Sequence, residues 1–109
     1  DLPTTYQSPT MSPKCSDEEK YNVIERIVTK LSARTEMIGQ KEADVNTVNG
    51  VRVTVEDGTW GLIRASSNKP ELVVVVESPA SEEARNMMFG ELKAVLDEEP
   101  EVGAFNQTL

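Results

Sequence analysis

The run Leu72-Val73-Val74-Val75-Val76 constrains the fold more than any other stretch of this chain. Four consecutive β-branched residues suit a pleated backbone and disfavour a helix. In a strand, successive side chains point to opposite faces, so a strand over residues 72–77 is apolar on both. Such a strand belongs in the middle of a sheet, or under cover on both sides.

The residues before it supply neighbours. Residues 43–78 read as sheet. Val45 and Val48 precede Asn49-Gly50, and Val51, Val53 and Val55 alternate after it. Asn-Gly is the favoured pair for a two-residue type I′ hairpin, whose central residues both need positive φ. A second turn is read at Glu56-Asp57-Gly58. Thr59 to Ala65 is the next strand, with Trp60 and Leu62 on one face, and a polar loop, Ser66 to Pro70, leads into the valine strand. Connections this short imply a mainly antiparallel sheet of four strands.

A helix is expected on each side of that sheet in sequence. Ser16 and Glu19 have capping-box spacing, and Asp17, Glu18 and Glu19 place negative charge at the positive end of a helix dipole. Tyr21, Ile24, Ile27, Val28 and Leu31 then recur at steps of three and four, an amphipathic stripe that runs to about Ala33. Ser81 is a second candidate cap, followed by Glu82 and Glu83. Ala84, Met87, Met88, Leu92, Val95 and Leu96 form the second stripe. Two helices with one apolar stripe each fit the same face of the sheet. The fold class is therefore α+β, a four-stranded mainly antiparallel sheet with two helices packed on one face.

The length of 109 residues suits one domain. Pro3, Pro9 and Pro13 make residues 1–15 an extended inter-domain linker or a frayed terminus. Residues 16–99 are the domain proper, and residues 100–109, beginning at Pro100, are a flexible tail. The chain starts at Asp1 with no basic n-region and no apolar h-region, so no signal peptide is visible, and the missing initiator methionine suits an excised fragment or a processed or trimmed start. No stretch is apolar enough to span a bilayer.

Charge and residue counts exclude several functions. The formal net charge is -8, which disfavours nucleic acid and anionic membranes as partners. An anionic small molecule fits only where a local cluster of donors overrides that field. There is no histidine, which removes Ser-His-Asp triads and histidine zinc sites. Cys15 is alone, so there is no internal disulfide, in keeping with a reducing cytoplasm.

The chemistry concentrates in one loop. Arg64, Ser66, Ser67, Asn68 and Lys69 bring a guanidinium, two hydroxyls, an amide and an ammonium to one strand end. All are hydrogen-bond donors. Arg64 can grip a phosphate with two prongs, and consecutive backbone N–H groups in a tight turn can form an anion nest. Ser, Asn and Pro are also the ordinary residues of a turn, and a strand-terminal Arg is ordinary surface. The runs Asp17-Glu18-Glu19 and Glu98-Glu99 lack the spacing of a calcium loop; the first suits a helix dipole and the second a solvated helix end. Trp60 can stack on a sugar or fill the core, Met87 and Met88 read as core, and Cys15 carries no role.

At this loop the chain resembles the α-D-phosphohexomutases. Their C-terminal domain carries an Asp-Gly-Val-Arg-Val type strand, a Gly-Trp-Gly-Leu-Val-Arg-Ala-Ser-Asn-Thr-Glu-Pro segment and a valine-rich strand. The corresponding stretches are Asn49-Gly50-Val51-Arg52-Val53, Asp57 through Ser66, and Pro70 through Glu77. Leu2-Pro3 and Ser8-Pro9 are similar to the family's hinge into this domain. Ala65 is closer to the phosphomannomutase/phosphoglucomutase branch than to the phosphoglucosamine mutase branch. The resemblance implies a four-domain cytoplasmic enzyme that interconverts hexose 1-phosphate and 6-phosphate through a bisphosphorylated intermediate. A phosphoserine and Mg²⁺, both in the other domains, would carry the transfer, so this chain alone would be inactive. It would clamp the phosphate that is not being transferred. Arg64 and Ser66 match the family's phosphate-binding Arg and Ser. Ser67, Asn68 and Lys69 stand where Asn, Thr and Glu are usual, which keeps donor character and changes geometry. A non-catalytic module, docking a protein partner on its sheet or valine strand, is the alternative, because one fold class hosts many roles.

Overall fold

The computed structural model describes residues 5–47 and 50–106, the side chain of Ala43 excepted. The elements are β1 (Tyr6–Gln7), α1 (Lys20–Ser32), β2 (Glu36–Met37), β3 (Gln40–Asn46), β4 (Val51–Val55), β5 (Trp60–Ala65), β6 (Leu72–Ser78) and α2 (Glu82–Asp97). Among the described residues the strands form one six-stranded sheet in the order β1-β6-β5-β4-β3-β2. Every neighbouring pair is antiparallel. The α+β class holds, with two more strands than expected. Both are two-residue pieces, too short to show a period-2 pattern. The Asn49-Gly50 hairpin turn falls partly on Val48 and Asn49, outside the described residues.

The valine strand is internal, as its composition requires. On one side β6 pairs with β5, from Trp60↔Glu77 to Ala65↔Leu72. On the other, residues 6–14 run along it. Tyr6 lies opposite Ser78, Met11 and Val74 exchange hydrogen bonds of 2.9 and 2.8 Å, and Leu72 N–H donates to the Pro13 carbonyl. The proline-rich segment is extended, as expected, and from residue 5 onward it is docked on the domain rather than frayed. Met11 is fully buried and Cys15 nearly so. Residues 104–106 are held too. Lys14 N–H donates to the Ala104 carbonyl at 3.0 Å, Ser12 N–H to Asn106 Oδ1 at 2.7 Å, and Phe105 meets Phe89 edge-on. Within the expected flexible tail of residues 100–109, Ala104 to Asn106 are tied to residues 12–14 and α2, and residues 107–109 lie outside the described residues.

The helices share one face. Val51, Val53 and Val55 of β4, Ile63 of β5 and Leu72, Val74 and Val76 of β6 are buried there, with Val23, Ile27 and Leu31 of α1 and Met88, Leu92 and Leu96 of α2. The opposite face holds Arg52, Trp60, Leu62 and Glu77. Trp60 is half-buried on that face and outside the core, with Arg52 stacked at 4.3 Å and its indole N–H donating to Glu77 at 3.0 Å.

Three helix details differ from expectation. Ser16 opens a turn rather than capping a helix: α1 starts at Lys20 and no side chain caps it, while Lys20 N–H donates to the Ser16 carbonyl. The α1 stripe is rotated. Tyr21 is 60% exposed, and Lys20 and Val23 are buried in its place. In α2, Met87 is exposed and Phe89 is buried, while the Ser81 cap forms as expected, accepting from Ala84 N–H at 3.0 Å.

Glu99, expected in solvent, is buried. It accepts from Arg26 Nε at 2.5 Å and Lys30 Nζ at 2.7 Å, tying α1 to the end of α2. Burial pushes this carboxyl up, but the hydrogen bonds from Lys30 and Arg26 outweigh it and hold the group below its ordinary value. Among the described residues, no helix is long and apolar enough to cross a membrane.

Candidate functional site

The site lies at the end of β5, where the strand leaves the sheet. By alternation Arg64 falls on the same side of β5 as Trp60 and Leu62, opposite Val73. Its guanidinium, half-buried, makes one long hydrogen bond, 3.5 Å to the Ala65 carbonyl. Among the described residues it has no carboxylate within ion-pair distance, as is also true of Arg52, whereas Arg26 has two and Arg34 and Arg85 one each. An unneutralised guanidinium in a strongly acidic chain is an electrostatic opening for an anion.

The loop after Arg64 closes on itself. Ser66 N–H donates to the Glu71 carbonyl at 3.0 Å, and Glu71 N–H to the Lys69 carbonyl at 2.8 Å. The amides of Asn68 and Lys69 both converge on Ser66 Oγ, at 3.4 and 3.3 Å. These are long bonds, so the two backbone donors are weakly satisfied by the hydroxyl and a charged acceptor beside it would bind them more strongly. Ser67, Asn68 and Lys69 are exposed, and Ser67 Oγ lies 3.5 Å from Asn68 Oδ1. The five expected residues thus lie along the end of β5 and the loop that follows it.

Arg64, Ala65 and Ser67 border a cleft of about 500 Å³ with Tyr21, Ile24 and Gly50. Tyr21 and Gly50 were not singled out from the sequence as site residues. The backbone at Gly50 passes directly over β5. Its φ is +131°, and a Cβ there would strike the Ile63 carbonyl and lie 2.8 Å from Arg64 Cβ. Gly50 is thus a part of the cleft wall where a side chain would not fit without a shift of β5.

The third residue missed is Lys20. Its ammonium sits beneath the loop and donates to the Ser66 carbonyl at 2.5 Å, the Lys69 carbonyl at 3.2 Å and Asp17 Oδ1 at 2.8 Å. Its spacing to Val23, Ile24 and Ile27 was the signal, since three and four residues before a buried position is the same helix face. Cys15 braces the loop's far end through its backbone, N–H to the Pro70 carbonyl at 3.0 Å. Its thiol is pushed up by burial first and by Glu101 and Glu19 next, which leaves it a poor nucleophile. Among the described residues no three Asp, Glu or Cys side chains gather as a metal site would require.

Comparison with known proteins shows the family of the chain. The family described as phosphoglucomutase/phosphomannomutase, C-terminal domain, matches residues 14–95. A probable phosphoglucosamine mutase of Methanothermobacter thermautotrophicus is 35% identical over 71 residues, covering 65% of this chain and 15% of that protein. A phosphopentomutase of Thermococcus kodakarensis is 32% identical over 85 residues, 78% of this chain and 18% of that protein. A phosphomannomutase/phosphoglucomutase of Pseudomonas putida is 31% identical over 101 residues, 93% of this chain and 20% of that protein. The chain thus spans a fifth or less of the length of these relatives. The crystal structure of a phosphoglucomutase/phosphomannomutase family protein from Burkholderia thailandensis shares the fold, with TM-score 0.68 and 24% identity over 94% of this chain and 19% of that one. With three-quarters of its length matched to one domain type, the chain belongs to the C-terminal domain family of the phosphoglucomutases and phosphomannomutases, the α-D-phosphohexomutases.

Proposed function

We propose that the loop from Arg64 to Lys69 binds the phosphate of a phosphosugar, and that the domain does so as one part of a larger cytoplasmic mutase. The observation that carries this is the pairing of an unneutralised Arg64 with two backbone amides aimed at Ser66 Oγ. Arg64 supplies charge and two parallel donors. Ser66 Oγ, now an acceptor, can rotate its own proton toward an incoming oxygen. Lys69, exposed beside them, adds a mobile positive charge. Nothing in this set recognises a sugar, so the site reads phosphate and accepts it from either end of a substrate that must turn over between two transfers. The relatives, named for glucosamine, pentose, mannose and glucose phosphates, share the phosphate and differ in the sugar. The phosphoserine and the Mg²⁺ implied by the resemblance are assigned to other parts of the enzyme.

Docking of a partner strand on the valine-rich strand is disfavoured, because β5 and residues 6–14 occupy both edges of β6. The test is a titration of the ¹⁵N-labelled chain with inorganic phosphate and with glucose 6-phosphate at millimolar concentration. The amides of residues 64–69 should shift, and Arg64→Ala should weaken binding about tenfold or more, as expected for charged hydrogen bonds of about 1.5–3 kcal/mol. Shifts elsewhere with the loop silent would overturn the reading.

A further inference from the structure

We infer that Lys20 is a positioning residue for the phosphate loop: it sets the direction of the loop's peptide groups from below and does not touch the ligand. The inference takes its purpose from the phosphate-binding reading, but its structural content stands apart from it. A lysine side chain only 5% exposed is costly to bury unless its donors are satisfied. Here three acceptors meet the three N–H bonds of the ammonium, and two are carbonyls of the same loop, Ser66 and Lys69. These contacts span 46 and 49 residues of sequence, so they are a tertiary brace and not part of the turn's own geometry.

The direction follows from the peptide unit. In a trans peptide the C=O and the next N–H point opposite ways, and no cis bond occurs among the described residues. Pulling the Ser66 carbonyl down onto Lys20 therefore turns the Ser67 N–H away from the core. A cation on the carbonyl also polarises that peptide and strengthens its N–H as a donor. The Lys69 carbonyl belongs to the bond before Pro70, which has no N–H to present. Fixing that carbonyl instead closes the loop, because it also accepts from Glu71 N–H. Asp17, exposed at the entrance to α1, balances the charge without displacing either carbonyl. Lys20 thus brackets Ser67 to Lys69, the stretch in which the Asn68 and Lys69 amides converge on Ser66 Oγ.

Lys20→Met and Lys20→Arg are compared with the unaltered 109-residue chain, and Lys20→Gln replaces the Met variant should that one fail to fold. Two readouts are used. Hydrogen exchange at the amides of 67–69, relative to amides in β6, reports loop order without ligand. Titration with inorganic phosphate reports binding. The Met or Gln variant should lose loop protection selectively and bind phosphate about tenfold more weakly, about 1.4 kcal/mol, and Lys20→Arg should recover most of both. Unchanged loop exchange and unchanged affinity in the Met or Gln variant, or failure of Arg to rescue, overturns the inference. If the unaltered chain itself shows no phosphate shifts at 64–69, the phosphate reading falls, and the exchange comparison still decides the role of Lys20.

Discussion

Replacing Gly50 by alanine should damage both the fold and the site. Gly50 has φ +131°, a region where a Cβ clashes with its own backbone at a cost of about 1–2 kcal/mol. The added methyl would also run into the Ile63 carbonyl and sit 2.8 Å from Arg64 Cβ and 2.9 Å from Arg64 Cα. Comfortable carbon contacts are about 3.5–4.0 Å, so β5 or the turn has to give by close to an ångström. The atoms struck belong to backbone and Cβ, which cannot swing aside as a side-chain tip can. Overpacking of this kind costs about 1–3 kcal/mol. The two effects together give about 2–5 kcal/mol, a large part of the stability of a small domain, and a fall in Tm of at least about 8 °C. Arg64 is the residue displaced, so phosphate affinity should fall as well. Gly90→Ala is the internal control: Gly90 lies within α2 with nothing within 4 Å of its would-be Cβ, and the change should be neutral or stabilising by up to about 1 kcal/mol. Thermal and urea unfolding of both variants decide the matter. A Gly50→Ala Tm within about 3 °C of the unaltered chain would refute the reasoning.

Two further predictions concern carboxylates that titrate in opposite senses. Glu99→Gln should cost about 1–2 kcal/mol near neutral pH, at the low end for charged hydrogen bonds because Arg26 and Lys30 can rehydrate. Glu99 is held below its ordinary value, so its contribution is full above the normal carboxylate range. It is lost as pH falls from that range through the lowered value of the folded protein, and the gap between the two proteins in urea unfolding should close below it. Glu42 is the reverse: both its carboxylate oxygens are buried without a hydrogen-bond partner among the described residues, and burial pushes it up despite Arg34. Its contribution is intact below the ordinary value and lost as pH rises through the raised one, so Glu42→Met should be more stable than the unaltered chain by about 1 kcal/mol at pH 8 and not at pH 4. A Met variant less stable at pH 8 would remove the case for an uncompensated charge.

What was legible in the sequence, and what was not, divides along contact range. β4, β5 and β6 could be read because their alternation or apolar runs are local, and the Ser81 cap needs only a residue three places on. The docking of residues 6–14 could not, because it depends on the free edge of β6: Met11 is buried only by reaching Val74, and no local pattern announces a strand studded with prolines. Glu99 looked solvated for the same reason, since its partners lie 73 and 69 residues away. The loop shows both sides at once. Its donor chemistry is written in six consecutive residues, but its shape is imposed from outside, by Lys20 through side-chain donors and by Cys15 through its backbone. Both braces come from the stretch where the docked proline-rich segment turns into α1. A shift of residues 15–20 would therefore be felt directly at Ser66, Lys69 and Pro70. The donors of the proposed phosphate site are named by the loop, and the loop's geometry is set in part by residues at the start of the domain.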